Sequence, residues 1–300
     1  MEHFINLEAW SPERLKGLLK LASRLKGETH RGVTHHHLSG KNVAMHFDKS
    51  SLRTRVSFEV GLNQLGANAI VLGSSAGQLG VREPVADYAR VLSRYVDGLI
   101  VRTFAESGIE ELAQLGNVPV INALTDESHP CQAMADMLTL KEHWGEFEGK
   151  TLVYIGDSNN VARSLLRASE KFGVKMKIVS PEGYEFDEEE KARGKALGFE
   201  FLNDPVVGVQ GADALYTDVW TSMGQEEEKK QRLQSFQGFC IDEVLLAKAN
   251  KGCVVLHCLP AHRGEEISHE VMECEQSVVF DQAENRLHAQ KAIMVELFGS

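Results

Sequence analysis

Residues 51–55, Ser-Leu-Arg-Thr-Arg, place two hydroxyl side chains and two guanidinium groups at the predicted start of a helix. They follow the apolar run 43–47 and precede the helical pattern 56–65. Backbone N–H groups at a helix N-terminus, together with hydroxyls and an arginine, suit a phosphate or a carboxylate. A serine N-cap followed by surface arginines fits the spacing equally well. The segment lacks the glycines and lysine of a P-loop, and residues 156–161 lack G-x-G-x-x-G, so neither predicts a nucleotide site.

Two further polar groups stand where a strand or loop leads into a predicted helix. His129 and Gln132 can hold a planar carbonyl group by hydrogen bonds, although a His-Pro pair before a helix is more often a cap. Asp218 and Ser222 suit an α-ammonium group, and the backbone N–H groups after them suit an α-carboxylate. A strand end turning into the charged helix 225–234 explains the same residues, so each pattern alone leaves both interpretations open.

His257 and Cys258 close a predicted strand, and a thiol beside an imidazole suggests a nucleophile. Neighbouring residues of a strand point to opposite faces, so the two side chains are poorly placed to form a catalytic pair. We therefore expect Cys258 to be a buried or ligand-lining thiol.

The chain has 300 residues and a formal net charge of -11, which argues against a nucleic-acid or anionic-membrane partner. The basic residues Arg53, Arg55 and Arg102 therefore indicate a local anion site. The five cysteines show neither CxxC nor a disulfide spacing, and no apolar leader or long apolar run is present, which predicts a reduced, cytoplasmic protein. His35, His36 and His37 lie in a polar stretch, where a solvated loop is favoured over a zinc site.

Strand-like and helical patterns alternate along the chain, which predicts an α/β protein with two doubly wound domains of mostly parallel strands joined by inter-domain helices. We expect a first domain over 1–130, an inter-domain helix over 131–144 and a second domain over 145–285. We expect a last helix, residues 286–300, to pack against the first domain. The predicted strands are 43–47, 69–72, 98–101, 120–121, 151–155, 175–179, 214–217, 253–257 and 278–280. Ligands of such sheets bind beyond the carboxyl ends of the strands, where each polar group above is found.

Five motifs occur in the order found in the aspartate/ornithine carbamoyltransferase family, and the chain resembles that family over nearly its whole length. They are S-x-R-T-R at 51–55, H-P-x-Q at 129–132, D-x-x-x-S-M-G at 218–224, H-C-L-P at 257–260 and F-D-Q-A-E-N-R at 280–286. The resemblance implies carbamoyl transfer from carbamoyl phosphate to the δ-amine of L-ornithine, giving L-citrulline and phosphate, a step of arginine metabolism. It also implies a cytoplasmic homotrimer, or a multiple of trimers, that needs no cofactor and no metal.

The same resemblance implies a role for each matching position. Arg102, His129 and Cys258 are implied catalytic residues. The implied carbamoyl phosphate ligands are Ser51, Leu52, Arg53, Thr54, Gln78, Arg102, His129, Pro130, Cys131, Gln132, Cys258, Leu259 and Arg286. The implied ornithine ligands are Leu124, Asn160, Asp218, Ser222, Met223 and Cys258.

Leu52 departs from the threonine that is commonest in the family, and leucine there also occurs in members that use N-acetylornithine. Because this position contributes mainly its backbone, phosphate binding is expected to survive. Putrescine, N-acetylornithine and aspartate remain alternative acceptors, and a non-catalytic amino-acid-binding homologue remains an alternative function. The Asp218-to-Gly224 motif favours a free α-ammonium group and hence ornithine.

Overall fold

The computed structural model describes residues 1–73, 77–221 and 226–299 and forms two compact units. Unit 1 comprises Met1–Leu138 and Glu284–Ser300, and unit 2 comprises Thr139–Ala283. The boundaries fall inside two helices, α5 (Pro130–Trp144) and α12 (Val279–Phe298).

Unit 1 is built on a four-stranded sheet in the order β2-β1-β3-β4, and all its strand pairs are parallel. Its elements before α5 are α1 (Pro12–His30), β1 (Asn42–Phe47), α2 (Leu52–Gln64), β2 (Asn68–Leu72), α3 (Val85–Leu92), β3 (Gly98–Arg102), α4 (Glu106–Leu115) and β4 (Val120–Leu124). Buried side chains of α3 and α4, such as Ala89 and Leu112, form a hydrophobic core with Leu99, Val101 and Val120 of the sheet.

The start of α2 follows from its sequence, because Ser51 accepts a hydrogen bond from the Thr54 N–H and so caps the helix. Farther along α2, a Cβ atom at Gly61 would lie 2.8 Å from the end of Met294. The missing side chain therefore lets α2 pack closely against α12, the helix that carries Arg286.

Unit 2 contains a five-stranded, fully parallel sheet in the order β7-β6-β5-β8-β9. Its elements between α5 and α12 are β5 (Thr151–Ile155), α6 (Asn160–Phe172), β6 (Lys175–Val179), α7 (Glu188–Ala196), β7 (Glu200–Leu202), α8 (Pro205–Gly208), β8 (Ala214–Thr217), a 3-10 turn (Glu226–Glu228), α9 (Lys229–Ser235), α10 (Glu243–Leu246), β9 (Val254–His257) and α11 (His269–Glu273). Strands β5, β8 and β9 pack on aromatic residues that include Trp220, Phe236 and Phe239.

The parallel sheets confirm the predicted α/β class, but two local predictions are wrong and one strand was missed. The segment 278–280 is not a strand, because α12 begins at Val279, seven residues before the predicted start of the last helix at residue 286. Strand β7 was not predicted, since only three residues form it. His35 does not lie in solvent: it is buried, and its Nε2 lies 3.1 Å from a Glu28 carboxylate oxygen.

The helix predicted over 225–234 is a 3-10 turn followed by α9, and Gln225 lies outside the described residues. Within the described ranges, none of the helices has both the length and the apolar character that a membrane crossing requires.

Candidate active site

The polar groups of both units stand at the carboxyl ends of their parallel strands. In unit 1, Arg102 is the last residue of β3 and Leu124 the last of β4, while Ser51 follows β1. In unit 2, Asp218 directly follows β8 and Cys258 directly follows β9. Ligands of doubly wound sheets bind at this edge, because the loops and helix N-termini there expose backbone donors.

In unit 1, two arginines from distant parts of the chain meet at the Thr54 hydroxyl. Arg286 donates from Nη2 to Thr54 Oγ1 at 2.9 Å, and Arg102 donates from Nη1 to the same oxygen at 3.5 Å. Arg286 also donates from Nη1 to Gln132 Oε1 at 2.6 Å, and Gln132 donates to Asp136 at 2.8 Å. Because the Thr54 oxygen accepts from guanidinium groups, its own proton is left to donate to a ligand.

His129 lies beside this group and is buried. Burial lowers its pKa well below the usual value, and the positive charges of Arg286 and Arg102 lower it further. The imidazole is therefore neutral near pH 7 and keeps one N–H group that can donate to a carbonyl oxygen.

The N-terminus of α2 presents the remaining anion-binding groups of unit 1. Ser51 Oγ accepts from the Thr54 N–H at 3.2 Å, so its hydroxyl proton can still donate to a ligand. Leu52 is exposed and Arg53 is half-buried, and their N–H groups stand in the first turn of α2, where a helix leaves N–H groups without partners of its own. Arg55 is exposed and lies 3.7 Å from Glu59 on the same helix, which is a surface ion pair.

Sequence reasoning missed the residues that hold the turn before His129. Ser128 donates from Oγ to Glu106, and its N–H donates to Thr125 Oγ1 at 3.1 Å. Asn122 of β4 donates to Ser128 Oγ at 2.9 Å. These residues come from three elements, and the sequence signal was limited to the short polar residues Asn122, Thr125 and Ser128 that follow the apolar pair 120–121.

Asp48, at the end of β1, plays a similar part for the segment that carries Gln78. Its carboxylate accepts from the Leu79 N–H at 3.2 Å and from Thr103 Oγ1 at 2.5 Å, and it lies 2.9 Å from His46 Nε2. The Gln78 side chain itself is exposed. Asp48 therefore anchors this loop to the strand edge, while Gln78 stays available to solvent.

In unit 2, Asp218 is the centre of a second polar group. Its Oδ1 accepts from the Cys258 thiol at 2.9 Å and from the Val219 N–H at 2.8 Å, and its Oδ2 accepts from Asn159 Nδ2 at 2.8 Å. Tyr154 donates to Asn159 Oδ1 at 3.3 Å, and burial raises the pKa of this tyrosine well above the usual value. Asp218 is thus held as an acceptor beside the thiol.

His257 makes its hydrogen bonds to groups other than the thiol, although one of its ring nitrogens lies within 4.8 Å of Cys258 Sγ. Its Nε2 lies 2.9 Å from Glu266 Oε1, and its Nδ1 accepts from the Leu259 N–H at 2.9 Å. Both ring nitrogens are engaged by groups other than the thiol, although the two side chains lie closer together than the strand pattern predicted. The bond from Leu259 fixes the backbone at the Cys258–Leu259 step.

The other predicted residues fall into three groups. Leu124 accepts from the Thr103 N–H through its carbonyl at 3.1 Å, and Asn160 is the first residue of α6, after the cap Asn159. Pro130 begins α5, and the buried Cys131 thiol contacts the Asn122 carbonyl, with its pKa raised by burial to about 12. Ser222 and Met223 lie outside the described residues.

Arg232 was also missed, although it holds both flanks of the segment 222–225. It donates to Asp157 at 2.6 Å, to the Trp220 carbonyl at 3.0 Å and to Glu228 at 3.0 Å. Its guanidinium also lies 5.0 Å from the centre of the Tyr184 ring. A single arginine thus ties Trp220 and Glu228 to the end of β5.

Comparison with known proteins matches both parts of the chain to domains of one family. Residues 2–142 match the family domain described as aspartate/ornithine carbamoyltransferase, carbamoyl-P binding domain, and residues 148–297 match the Asp/Orn binding domain. A relative named ornithine carbamoyltransferase from Syntrophotalea carbinolica is 51% identical over 296 residues, 98% of each chain. One of the same name from Archaeoglobus fulgidus is 48% identical, covering 100% of this chain and 98% of the relative. The solved ornithine carbamoyltransferase from Pyrococcus furiosus superposes with a TM-score of 0.95 and 44% identity, covering 100% of this chain and 97% of that one.

Proposed function

Because this chain belongs to the aspartate/ornithine carbamoyltransferase family, we propose that it transfers the carbamoyl group of carbamoyl phosphate to the δ-amine of L-ornithine, giving L-citrulline and phosphate. One observation carries the proposal most directly. A neutral histidine, His129, lies among buried guanidinium groups that share the Thr54 hydroxyl. Such donors suit a substrate that joins a carbonyl oxygen to a phosphate.

The proposed reaction depends more on hydrogen-bond donors that stabilise negative charge than on a strong base. The neutral δ-amine of ornithine attacks the carbamoyl carbon, the new C–N bond forms, and the C–O bond to phosphate breaks. The departing phosphate accepts the amine proton. Positioning two substrates can lower the barrier by about 7–11 kcal/mol, and one preorganised oxyanion donor contributes about 3 kcal/mol.

In this proposal, most of the groups for carbamoyl phosphate belong to unit 1. Ser51, the Leu52 N–H and Arg53 bind the phosphate together with Thr54, and Gln78 joins them from its loop. Thr54, Arg102 and His129 donate to the carbamoyl oxygen. The carbamoyl amide is held by the amide of Gln132, by Arg286 and by the backbone at Pro130, Cys131, Cys258 and Leu259.

Most of the groups for ornithine belong to unit 2. Asp218 binds the α-ammonium group with Ser222, while Asn160 and the Met223 N–H bind the α-carboxylate. The Cys258 thiol and the Leu124 backbone face the δ-amine. The position of Asp218 supports the free amino acid over N-acetylornithine, since acetylation would leave this buried carboxylate with no cation to bind.

The test is a panel of acceptor amines at a fixed concentration of carbamoyl phosphate, measuring the carbamoylated product with ornithine, N-acetylornithine, putrescine and aspartate. We expect citrulline from ornithine and little product from the others. Asp218→Asn should raise the KM for ornithine at least tenfold more than the KM for carbamoyl phosphate. Asp213→Asn is the matched control, because Asp213 precedes β8 and caps the Thr151 N–H at the opposite end of that strand. Absence of citrulline, or equal loss for both substrates in Asp218→Asn, would refute the proposal.

We also propose that the protein works as a homotrimer in the reducing cytoplasm. Three apolar side chains on one face of α2, Leu52, Val56 and Val60, are exposed by 74%, 48% and 37%, and they support an interface between copies. Light scattering should give a trimer mass that Val56→Glu lowers. Val244→Glu, on an exposed position of unit 2, should leave the mass unchanged. A monomeric parent protein would contradict this proposal.

A further inference from the structure

A second group of possible ligands lies in unit 1, away from Thr54. His30 ends α1, and Glu284 and His288 stand one turn apart on α12. His30 Nε2 lies 2.7 Å from Glu284 Oε1, and His288 Nε2 lies 3.3 Å from the same oxygen. One ligand atom from each residue lies within 4.8 Å of the others. The two imidazoles and one carboxylate therefore converge on a single point between the helices.

The spacing of these atoms suits a small transition-metal ion. Bonds of about 2.0–2.2 Å at tetrahedral angles place neighbouring ligand atoms about 3.3 Å apart. The distance between His288 and Glu284 already has this value. The distance from His30 to Glu284 must open by about half an ångström, and His30 is free to do so because its side chain is 55% exposed at the end of its helix.

The His288 ring is buried, and its Nε2 contacts Glu284 Oε1 while its Nδ1 has no hydrogen-bond partner among the described residues. Coordination through Nε2 places the ring proton on Nδ1, and the metal ion takes the place of the direct contact with Glu284. The bonds to the metal must therefore outweigh the cost of a buried N–H group without an acceptor.

Two lysines place positive charge nearby and oppose a cation. Lys26 lowers the pKa of His288, and its ammonium group donates to Asn285 at 2.8 Å. Lys291 donates to Thr29 and Gln64, and burial lowers its pKa to about 8. Both ammonium groups thus donate hydrogen bonds to neutral oxygens. The negative charge of the Glu284 carboxylate partly offsets their positive charge at the proposed metal position.

We propose that His30, Glu284 and His288 form a binding site for a divalent transition-metal ion of the Zn²⁺ or Ni²⁺ type, which links the end of α1 to α12. Two imidazole nitrogens and one carboxylate oxygen are a ligand set that such ions prefer over Mg²⁺ or Ca²⁺. The exposed side of the site takes water as the remaining ligand. The sequence offered no sign of it, because His30 and His288 lie outside the five motifs, and Glu284, inside the last of them, is 254 residues from His30.

The experiment measures Zn²⁺ binding to the metal-stripped, full-length protein by competition with a chromophoric chelator. All four proteins, the parent included, carry Cys258→Ala and His262→Ala. Asp218, His257 and Cys258 form a second three-ligand group, and His262, Glu265 and Glu266 form a third. His30→Ala and Glu284→Gln test the site, and both change side chains that are 41% exposed or more, so folding should survive. His143→Ala is the matched control, because it removes another surface histidine that lies 3.2 Å from a carboxylate, that of Asp281.

We expect one Zn²⁺ ion to be lost, or its affinity to fall at least tenfold, in His30→Ala and Glu284→Gln but not in His143→Ala. Zn²⁺ should also raise the unfolding temperature of the parent more than that of His30→Ala, since a metal that binds only the folded state stabilises it. Equal zinc stoichiometry and affinity in all four proteins would overturn the proposal. None of these measurements depends on carbamoyl transfer, so they test the metal site independently of the proposed function.

Discussion

Replacing Thr54 with valine removes the one hydroxyl that Arg286 and Arg102 share. Valine has nearly the same shape, so the substitution leaves the volume of the α2 start unchanged while deleting a hydrogen-bond acceptor and donor. In the proposed reaction this hydroxyl donates to the carbamoyl oxygen, on which negative charge develops. The substitution therefore tests what this buried hydroxyl contributes to catalysis, while the packing of the side chain stays nearly the same.

The contacts allow the size of the effect to be worked out. The bond from Arg286 is 2.9 Å long and that from Arg102 is 3.5 Å, so the first carries most of the interaction. Leaving a buried donor without an acceptor lowers the free energy of unfolding by about 1–3 kcal/mol. Loss of one oxyanion donor lowers kcat by about 10²–10³, which is about 2.7–4 kcal/mol of transition-state stabilisation.

The assay is steady-state citrulline formation with each substrate varied in turn, beside urea unfolding of the same preparations. Thr54→Ser is the control, because it keeps the hydroxyl and loses only a methyl group. We expect Thr54→Val to lose about 10²–10³ in kcat and Thr54→Ser to stay within about tenfold of the parent. A Thr54→Val protein that unfolds more easily but keeps kcat within about threefold would show that the hydroxyl only braces the arginines.

Three further outcomes are expected. Because the pKa of His129 is lowered in the fold, only the unfolded chain gains this proton as the pH falls below about 6.5. The free energy of unfolding should therefore fall by up to about 1.4 kcal/mol per pH unit between pH 6.5 and 5, and urea unfolding should show a smaller slope in His129→Asn. Arg232→Gln should raise the KM for ornithine at least fivefold more than the KM for carbamoyl phosphate, as steady-state kinetics will show; equal changes would contradict its role as a support for the ornithine side. Mass spectrometry after iodoacetamide treatment should find Cys258 labelled, less so with ornithine present, and Cys131 unlabelled, because burial raises the Cys131 pKa to about 12.

The sequence predicted the parts of the fold that depend on local patterns. A serine cap was one of the two interpretations of residues 51–55, and Ser51 does cap α2. The apolar run 98–101 predicted β3, which ends at Arg102. The incorrect prediction of a strand at 278–280 also has a local cause. Its valines and phenylalanine favour strands, and the Val278 N–H does donate to the Val255 carbonyl, but α12 begins at the next residue.

Contacts between distant residues could not be derived from spacing. Thr54 and Arg286 are 232 residues apart, and only the order of family motifs suggested that they act together. Asn159 and Asn160 are chemically identical neighbours, and the N-cap geometry of α6 decides which one bonds to Asp218. Arg232 belongs to no motif. It binds the Asp157 and Glu228 carboxylates and the Trp220 carbonyl, and only the folded chain brings these groups together.

The charge state of His129 explains why the proposed reaction uses hydrogen bonds in place of acid catalysis. A protonated imidazole beside Arg102 and Arg286 would put a third positive charge in one buried group, and both arginines lower its pKa. The arginines that hold the carbamoyl group in this proposal therefore also keep the histidine neutral. A neutral imidazole donates a hydrogen bond to the carbamoyl oxygen but does not give up its proton at neutral pH. The proton released by the amine then goes to the departing phosphate, the one strong acceptor that the reaction itself creates.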